Sequence, residues 1–143
     1  MELYKFKKNM ESSAIKKFVI KKTITSSSIL TTATDLVGSG VGEITVDDII
    51  LKTDSTGLAA GTNIEIETTN SNGLADVMVE TVANLGANAT VNLSAASVTG
   101  VKTVIEDGKK LTIKSTVAAC TGAGKLYVYL YLSRASDHGE IYG

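Results

Sequence analysis

Between Val19 and Leu126 the chain carries no aromatic side chain, and it has no proline anywhere. A core made from that stretch must be aliphatic, built from Ile, Val, Leu and Ala set among Thr and Ser. β-branched residues of this kind lose rotamer freedom in helices and pack well on a pleated surface. Where their spacing is legible it has the period of two that a half-buried strand requires, as in Asn63-Ile64-Glu65-Ile66-Glu67-Thr68. The chain therefore has to solve its packing problem with strands.

The strand signals recur at short intervals. Ile15 to Thr25 alternates in part, with Phe18, Ile20 and Ile24 sharing a face, and Ser26-Ser27-Ser28 breaks it. Ile29 to Val37 follows, then the glycine loop Gly38-Ser39-Gly40-Val41-Gly42. Glu43 to Thr53 places Ile44 and Val46 in one phase and Ile49 and Leu51 in the other, so a bulge or kink is expected at Asp47-Asp48. Asn63–Thr68, Asp76–Val82 and a short piece around Thr90–Leu93 come next. Val101–Glu106 and Lys110–Val117 flank Asp107-Gly108, which predicts a hairpin with a type I′ turn. Lys125 to Arg134 closes the series, with Tyr127, Tyr129 and Tyr131 alternating against Val128, Leu130 and Leu132. Eight or nine short strands without a helix in the body predict an all-β, antiparallel β-sandwich of jelly-roll type. An immunoglobulin-like sandwich ranks second, because the Cys…Trp…Cys pattern is missing.

Charge divides the chain. Residues 1–22 hold seven lysines against Glu2 and Glu11, a balance of +5, while the remainder holds seven cations against thirteen acids, a balance of −6. Three parts are expected: a basic N-terminal arm over 1–22, extended or a short helix and running into the first strand; a sandwich body over 23–135; and a tail over 136–143. Opposite signs on arm and body favour docking on a neighbouring copy or another acidic surface. Nucleic acid is not an expected partner, since the body has neither a basic stripe nor an aromatic platform. Neither a signal-peptide core nor a membrane-length apolar run is present, so a chain made in the cytoplasm is expected and a membrane is not.

Reactive groups are sparse and isolated. His138 is the single histidine and Cys120 the single cysteine, which leaves no zinc set and no intrachain disulfide. Gly38-x-Gly40-x-Gly42 precedes a strand and not the helix that a phosphate cradle needs. Asp47-Asp48 and Glu106-Asp107 lack the dense oxygen spacing of a calcium loop. No catalytic residue, metal or cofactor is expected, and the chain is read as a non-enzyme. The candidate interface residues are Tyr127, Tyr129 and Tyr131, with Lys16, Lys17, Lys21 and Lys22. On the last strand both faces are apolar, so one meets the core and the other suits a second layer, where Tyr buries a ring and keeps its hydroxyl wet.

The run from Gly42 through Asp47-Asp48-Ile49-Ile50-Leu51 to Gly61-Thr62-Asn63 resembles small structural proteins of tailed bacteriophages, of the capsid-decorating and head-fibre type. The late segment Cys120-Thr121-Gly122-Ala123-Gly124-Lys125-Leu126-Tyr127-Val128-Tyr129-Leu130 resembles them too. The likeness covers roughly residues 25–134 and excludes the basic arm. It implies a multi-copy virion component, commonly trimeric, whose partners are its own copies, the major capsid protein or other virion proteins. It carries over no catalytic residue. A receptor- or glycan-binding module of a phage fibre or tail is the alternative.

Overall fold

The computed structural model describes residues 16–39, 42–71, 76–95, 99–100 and 103–134. The segment 1–15, with Leu3, Tyr4, Phe6 and Met10, and the tail with His138 lie outside the described residues.

Two antiparallel five-stranded sheets form a sandwich. The first contains β1 (Lys16–Thr25), β10 (Lys125–Arg134), β3 (Ile44–Thr53) and β6 (Thr90–Asn92) in that order, with β8 (Thr103–Ile105) also paired to β3. The second runs β2 (Thr34–Val37), β9 (Leu111–Ser115), β4 (Asn63–Thr68), β5 (Asp76–Thr81) and β7 (Thr99–Gly100). Early strands thus sit beside late ones: β1 against β10 and β2 against β9. One aliphatic cluster fills the space between the sheets, including Ile44, Val46, Ile49, Leu51, Leu126, Val128 and Leu130 from the first and Ile64, Ile66, Met78, Leu111 and Ile113 from the second.

Two inserted residues set which side chains reach that cluster. In β3, Asp48 pairs with Tyr131 and Val46 with Leu132, leaving Asp47 as the extra residue. Val46 and Ile49 are three positions apart, and only such an insertion lets both face inward on a period of two. The expected bulge is therefore present, and the Asp48 carboxylate accepts the Ile49 N–H at 2.8 Å. In β5 the extra residue is Val77, between Asp76, which pairs with Glu67, and Met78, which pairs with Ile66. Met78 and Glu80 then share the core-facing side with Ile66 and Ile64. Glu80 is 1% exposed. Its carboxyl oxygen accepts the Thr81 N–H at 2.8 Å and the Asn84 side-chain amide at 3.1 Å, which meets the demand that a buried polar group be hydrogen-bonded.

Two expectations need correction. The segment Ile29–Val37 is a strand only over Thr34–Val37. Ile29 and Leu30 instead lend their carbonyls to the Cys120 and Ser115 N–H groups, at 2.9 and 2.8 Å, where the chain crosses between sheets. The Asp107-Gly108 turn does not close a hairpin: β8 pairs with β3 in one sheet, and β9 with β2 and β4 in the other. Positive φ falls on Gly108 alone (+78°), whereas a type I′ turn needs it at both central residues. Without that twist the turn becomes an arch, and Ile105 and Leu111 enter the core from opposite sides. The arch is clamped by Asn70, which accepts the Glu106 N–H at 3.0 Å and donates to the Val104 carbonyl at 2.6 Å. Hydrogen bonds from the Ser71 N–H and hydroxyl hold the Glu106 carboxyl below its usual range.

At one end of the sandwich three loops meet through glycines. A Cβ on Gly57 would overlap the Gly86 backbone, and one on Gly124 would overlap the Gly57 carbonyl. Backbone bonds lock the approach: Leu58 N–H to Leu85 O at 2.9 Å and Ser26 N–H to Gly124 O at 2.7 Å. Asp54 accepts the Gly57 N–H at 2.8 Å and the Thr56 N–H at 3.0 Å, and the Gly57 bond above all lowers its pKa. A Gly57→Ala or Gly124→Ala change is expected to destabilise the fold by roughly 2–4 kcal/mol in urea denaturation. Gly86→Ala, whose Cβ meets nothing within 4 Å, should stay within about 0.5 kcal/mol of the parent.

Candidate functional site

The tyrosine strand lies second from the edge of the first sheet, between β1 and β3. Leu126, Val128, Leu130 and Leu132 are buried on its inner side, so the alternate residues Tyr127, Tyr129 and Tyr131 face outward and are half-buried. Register then decides their neighbours. On β1, Thr23, Lys21 and Val19 stand opposite Tyr127, Tyr129 and Tyr131. On β3, Lys52, Ile50 and Asp48 stand opposite the same three. Residues directly opposite in an antiparallel pair share a face.

The rings are partly roofed by cations. Lys21 Nζ lies 5.0 Å from the Tyr127 ring centre and 5.6 Å from that of Tyr129, and Lys52 Nζ is 5.7 Å from the Tyr129 ring from the other side. Exposed contacts of this kind are worth about 0.5–1 kcal/mol each. They hold the charges over a flat apolar row. Val19, 54% exposed, extends the row toward the sheet edge. Beside it a depression of about 320 Å³ is lined by Lys17, Val19, Asp47, Asp48 and Tyr131, with Phe18 and Leu132 below.

The four lysines named from the sequence all lie on β1, but they do not form one patch. Lys17 and Lys21 share the outward face with the tyrosines; Lys16 and Lys22, of opposite parity, lie on the other side of the strand at the sheet margin. Lys52, Ile50, Asp48 and Val19 complete the face and were not singled out from sequence. Lys52 and Ile50 do alternate with the inward Leu51 and Ile49, but their alignment with the tyrosines depends on a cross-strand register set by the Asp47 insertion.

The outer face of the second sheet is built differently. Lys114 Nζ lies 2.9 Å from Glu67 and 3.6 Å from Glu65, and Lys110 pairs with Asp35 at 3.2 Å. The Glu67 bond is the main reason the Lys114 pKa is raised. There, cations and carboxylates satisfy one another. On the tyrosine face, Lys17, Lys21 and Lys52 make no ion pair among the described residues.

No group of three His, Cys, Asp or Glu side chains that could hold a metal occurs among the described residues. No helix among them is long and apolar enough to cross a membrane. Cys120 is buried, with Sγ 3.6 Å from the Ser115 hydroxyl and 3.7 Å from the Ala60 carbonyl, and burial pushes its thiol pKa up.

No protein-family model matches the chain, and no curated protein matches it. Among solved structures it is similar to a chain of the cyanophage Pam1 capsid asymmetric unit, at 20% identity over 83% of this chain and 84% of that one, TM-score 0.48. It is similar to the Drosophila NLP core at 16% identity, covering 81% and 95% of the two chains, TM-score 0.43. A subunit of the Bacillus endospore appendages is a further neighbour, at 16% identity over 82% and 88%, TM-score 0.34. At these values the likeness transfers no function from one chain to another.

A thiolate is the reactive form of cysteine, and here it is disfavoured by its surroundings. Native protein at neutral pH is expected to react with a thiol reagent such as DTNB far more slowly than protein in denaturant. Equal rates would place Cys120 at the surface.

Proposed function

We propose that this chain is a non-enzymatic structural subunit of a tailed-phage virion, a capsid-decorating or auxiliary head protein. It docks on the shell and contacts neighbouring copies, as a homo-oligomer of the trimeric kind. Its place is the mature particle, after synthesis in the host cytoplasm. The jelly-roll form of the sandwich belongs to this reading and is supported by the way β1 nests against β10 and β2 against β9.

The observation that carries the proposal is the difference between the two outer faces. One sheet neutralises its charges within itself; the other presents three tyrosines, Ile50 and an exposed Val19 beneath lysines with no carboxylate partner among the described residues. A row of aromatic rings flanked by lysines without ion-pair partners, with Asp47 and Asp48 at one end, suits a partner that is apolar at its centre and acidic where it meets the lysines. A row of half-buried rings also suits a sugar, which favours a glycan-binding fibre module as the second reading; selective binding on a glycan array would support that module over a shell protein.

Because the cations are exposed, their contribution to docking is expected to be electrostatic and salt-sensitive. Replacing Lys17 and Lys21 with Gln should weaken binding to the cognate particle or self-association by several-fold, at about 0.2–1 kcal/mol per contact. Moderate salt should mimic that loss. Replacing Lys16 and Lys22 with Gln should have a smaller effect, since those side chains point away from the face. Sedimentation of protein with particles at two salt concentrations checks both.

Tyr129→Ser is expected to reduce assembly, read by native mass, more than it lowers the urea midpoint of the body. The reverse order would make the tyrosine row a part of the core.

A further inference from the structure

We infer that the free edge of β1 accepts an added strand from a second protein, an extended segment in which two acidic residues stand on each side of an apolar triplet. The inference goes beyond docking of the sheet face and does not depend on it.

β1 ends its sheet, and among the described residues nothing pairs with its outer edge. It is ten residues long and follows β10 in unbroken register from Lys16 to Thr25. Long, regular edges are templates for further pairing, and proteins usually blunt them with bulges, prolines or charges. This edge has no bulge and no proline. It has charges alone, and their arrangement is specific.

Lys16-Lys17-Phe18-Val19-Ile20-Lys21-Lys22 reads the same in both directions as a pattern of charge and apolarity. If two copies paired their β1 edges antiparallel about Val19, Lys17 would face Lys21 and Lys16 would face Lys22, on both sides of the new sheet. Like charges directly opposite are destabilising. The same geometry rewards an acidic strand. Lys17 and Lys21 would each meet a carboxylate on the tyrosine face, with Val19 packing on the apolar residue between. Lys16 and Lys22 would do so on the other face, with Phe18 and Ile20 between. The complement is therefore acid-acid-apolar-apolar-apolar-acid-acid, and the symmetry makes it fit in either direction.

The occupant is not another copy of this chain. Its only adjacent acidic pairs are Asp47-Asp48 and Glu106-Asp107. Asp47-Asp48 precedes Ile49-Ile50-Leu51 but is followed there by Lys52, and it sits in β3, a strand paired on both sides. Residues 1–15 are themselves basic on balance, with Lys5, Lys7 and Lys8 against Glu2 and Glu11, so charge does not favour their covering this edge.

The test uses the full chain with a fluorescein-labelled, end-blocked peptide, Glu-Glu-Val-Ile-Val-Glu-Glu, at low salt. Its counterpart with lysine in place of glutamate is the control. Saturable binding of the acidic peptide alone is expected by anisotropy, together with slowed amide exchange at alternate positions of 16–25. The double changes Lys16→Glu with Lys22→Glu, and Lys17→Glu with Lys21→Glu, lie at exposed positions, and each should weaken binding by at least about tenfold. Tyr129→Ser should leave peptide binding intact, so failure of face docking and failure of edge pairing are told apart. Three results would overturn the inference: no saturable binding at millimolar peptide, binding indifferent to charge reversal, or protection confined to other strands.

Discussion

The burial of Leu126, Val128, Leu130 and Leu132 against the opposing sheet organises everything else in the molecule. Each of these side chains contributes about 1.5–3 kcal/mol when taken out of water, and together they fix which way β10 faces. Once they point inward, period two sends Tyr127, Tyr129 and Tyr131 outward without further choice. β10 is also the strand that β1 and β3 both pair with, so its orientation sets the parity of the lysines on one side and of Ile50 and Lys52 on the other. The outward surface is a by-product of inward packing.

A core without large rings must obtain its density from close fit. The aliphatic cluster leaves little room for loops to spread, and at one end the backbone itself provides the packing. Gly57, Gly86 and Gly124 bring three loops to a separation that no side chain would permit at two of those positions. Asp54 completes the arrangement by capping the Thr56 and Gly57 amides, which ties the end of β3 to the loop that follows. The opposite end is secured by polar side chains, with Asn70 and Ser71 reaching across to the arch at Glu106. One end is closed by the absence of side chains and the other by their hydrogen bonds.

Strictly local information made several elements legible. The alternation of Asn63–Thr68 is enough to assign its buried side, that of Lys125–Arg134 separates two apolar faces without choosing between them, and the phase change at Asp47-Asp48 marks the irregularity in β3. Non-local information was not legible. Asp107-Gly108 resembles a hairpin turn, yet β8 is taken by β3 and β9 by β2 and β4, because Ile105 and Leu111 are worth more in the core from opposite sides than paired to each other. The candidate face shows the same division. That the tyrosines share one face follows from their own strand, whereas Val19, Asp48, Ile50 and Lys52 join them only through pairings with residues many tens of positions away. Composition groups the four lysines, and strand parity separates them into two pairs.

The placement of the rings has an optical corollary. The chain has no tryptophan, and the three tyrosines of its described residues all stand on one outer face while the interior is aliphatic. Near-ultraviolet absorption and tyrosine emission from the body therefore originate almost wholly at that surface. The packed interior is spectroscopically dark, and the light the body gives back reports on whatever comes to rest against it.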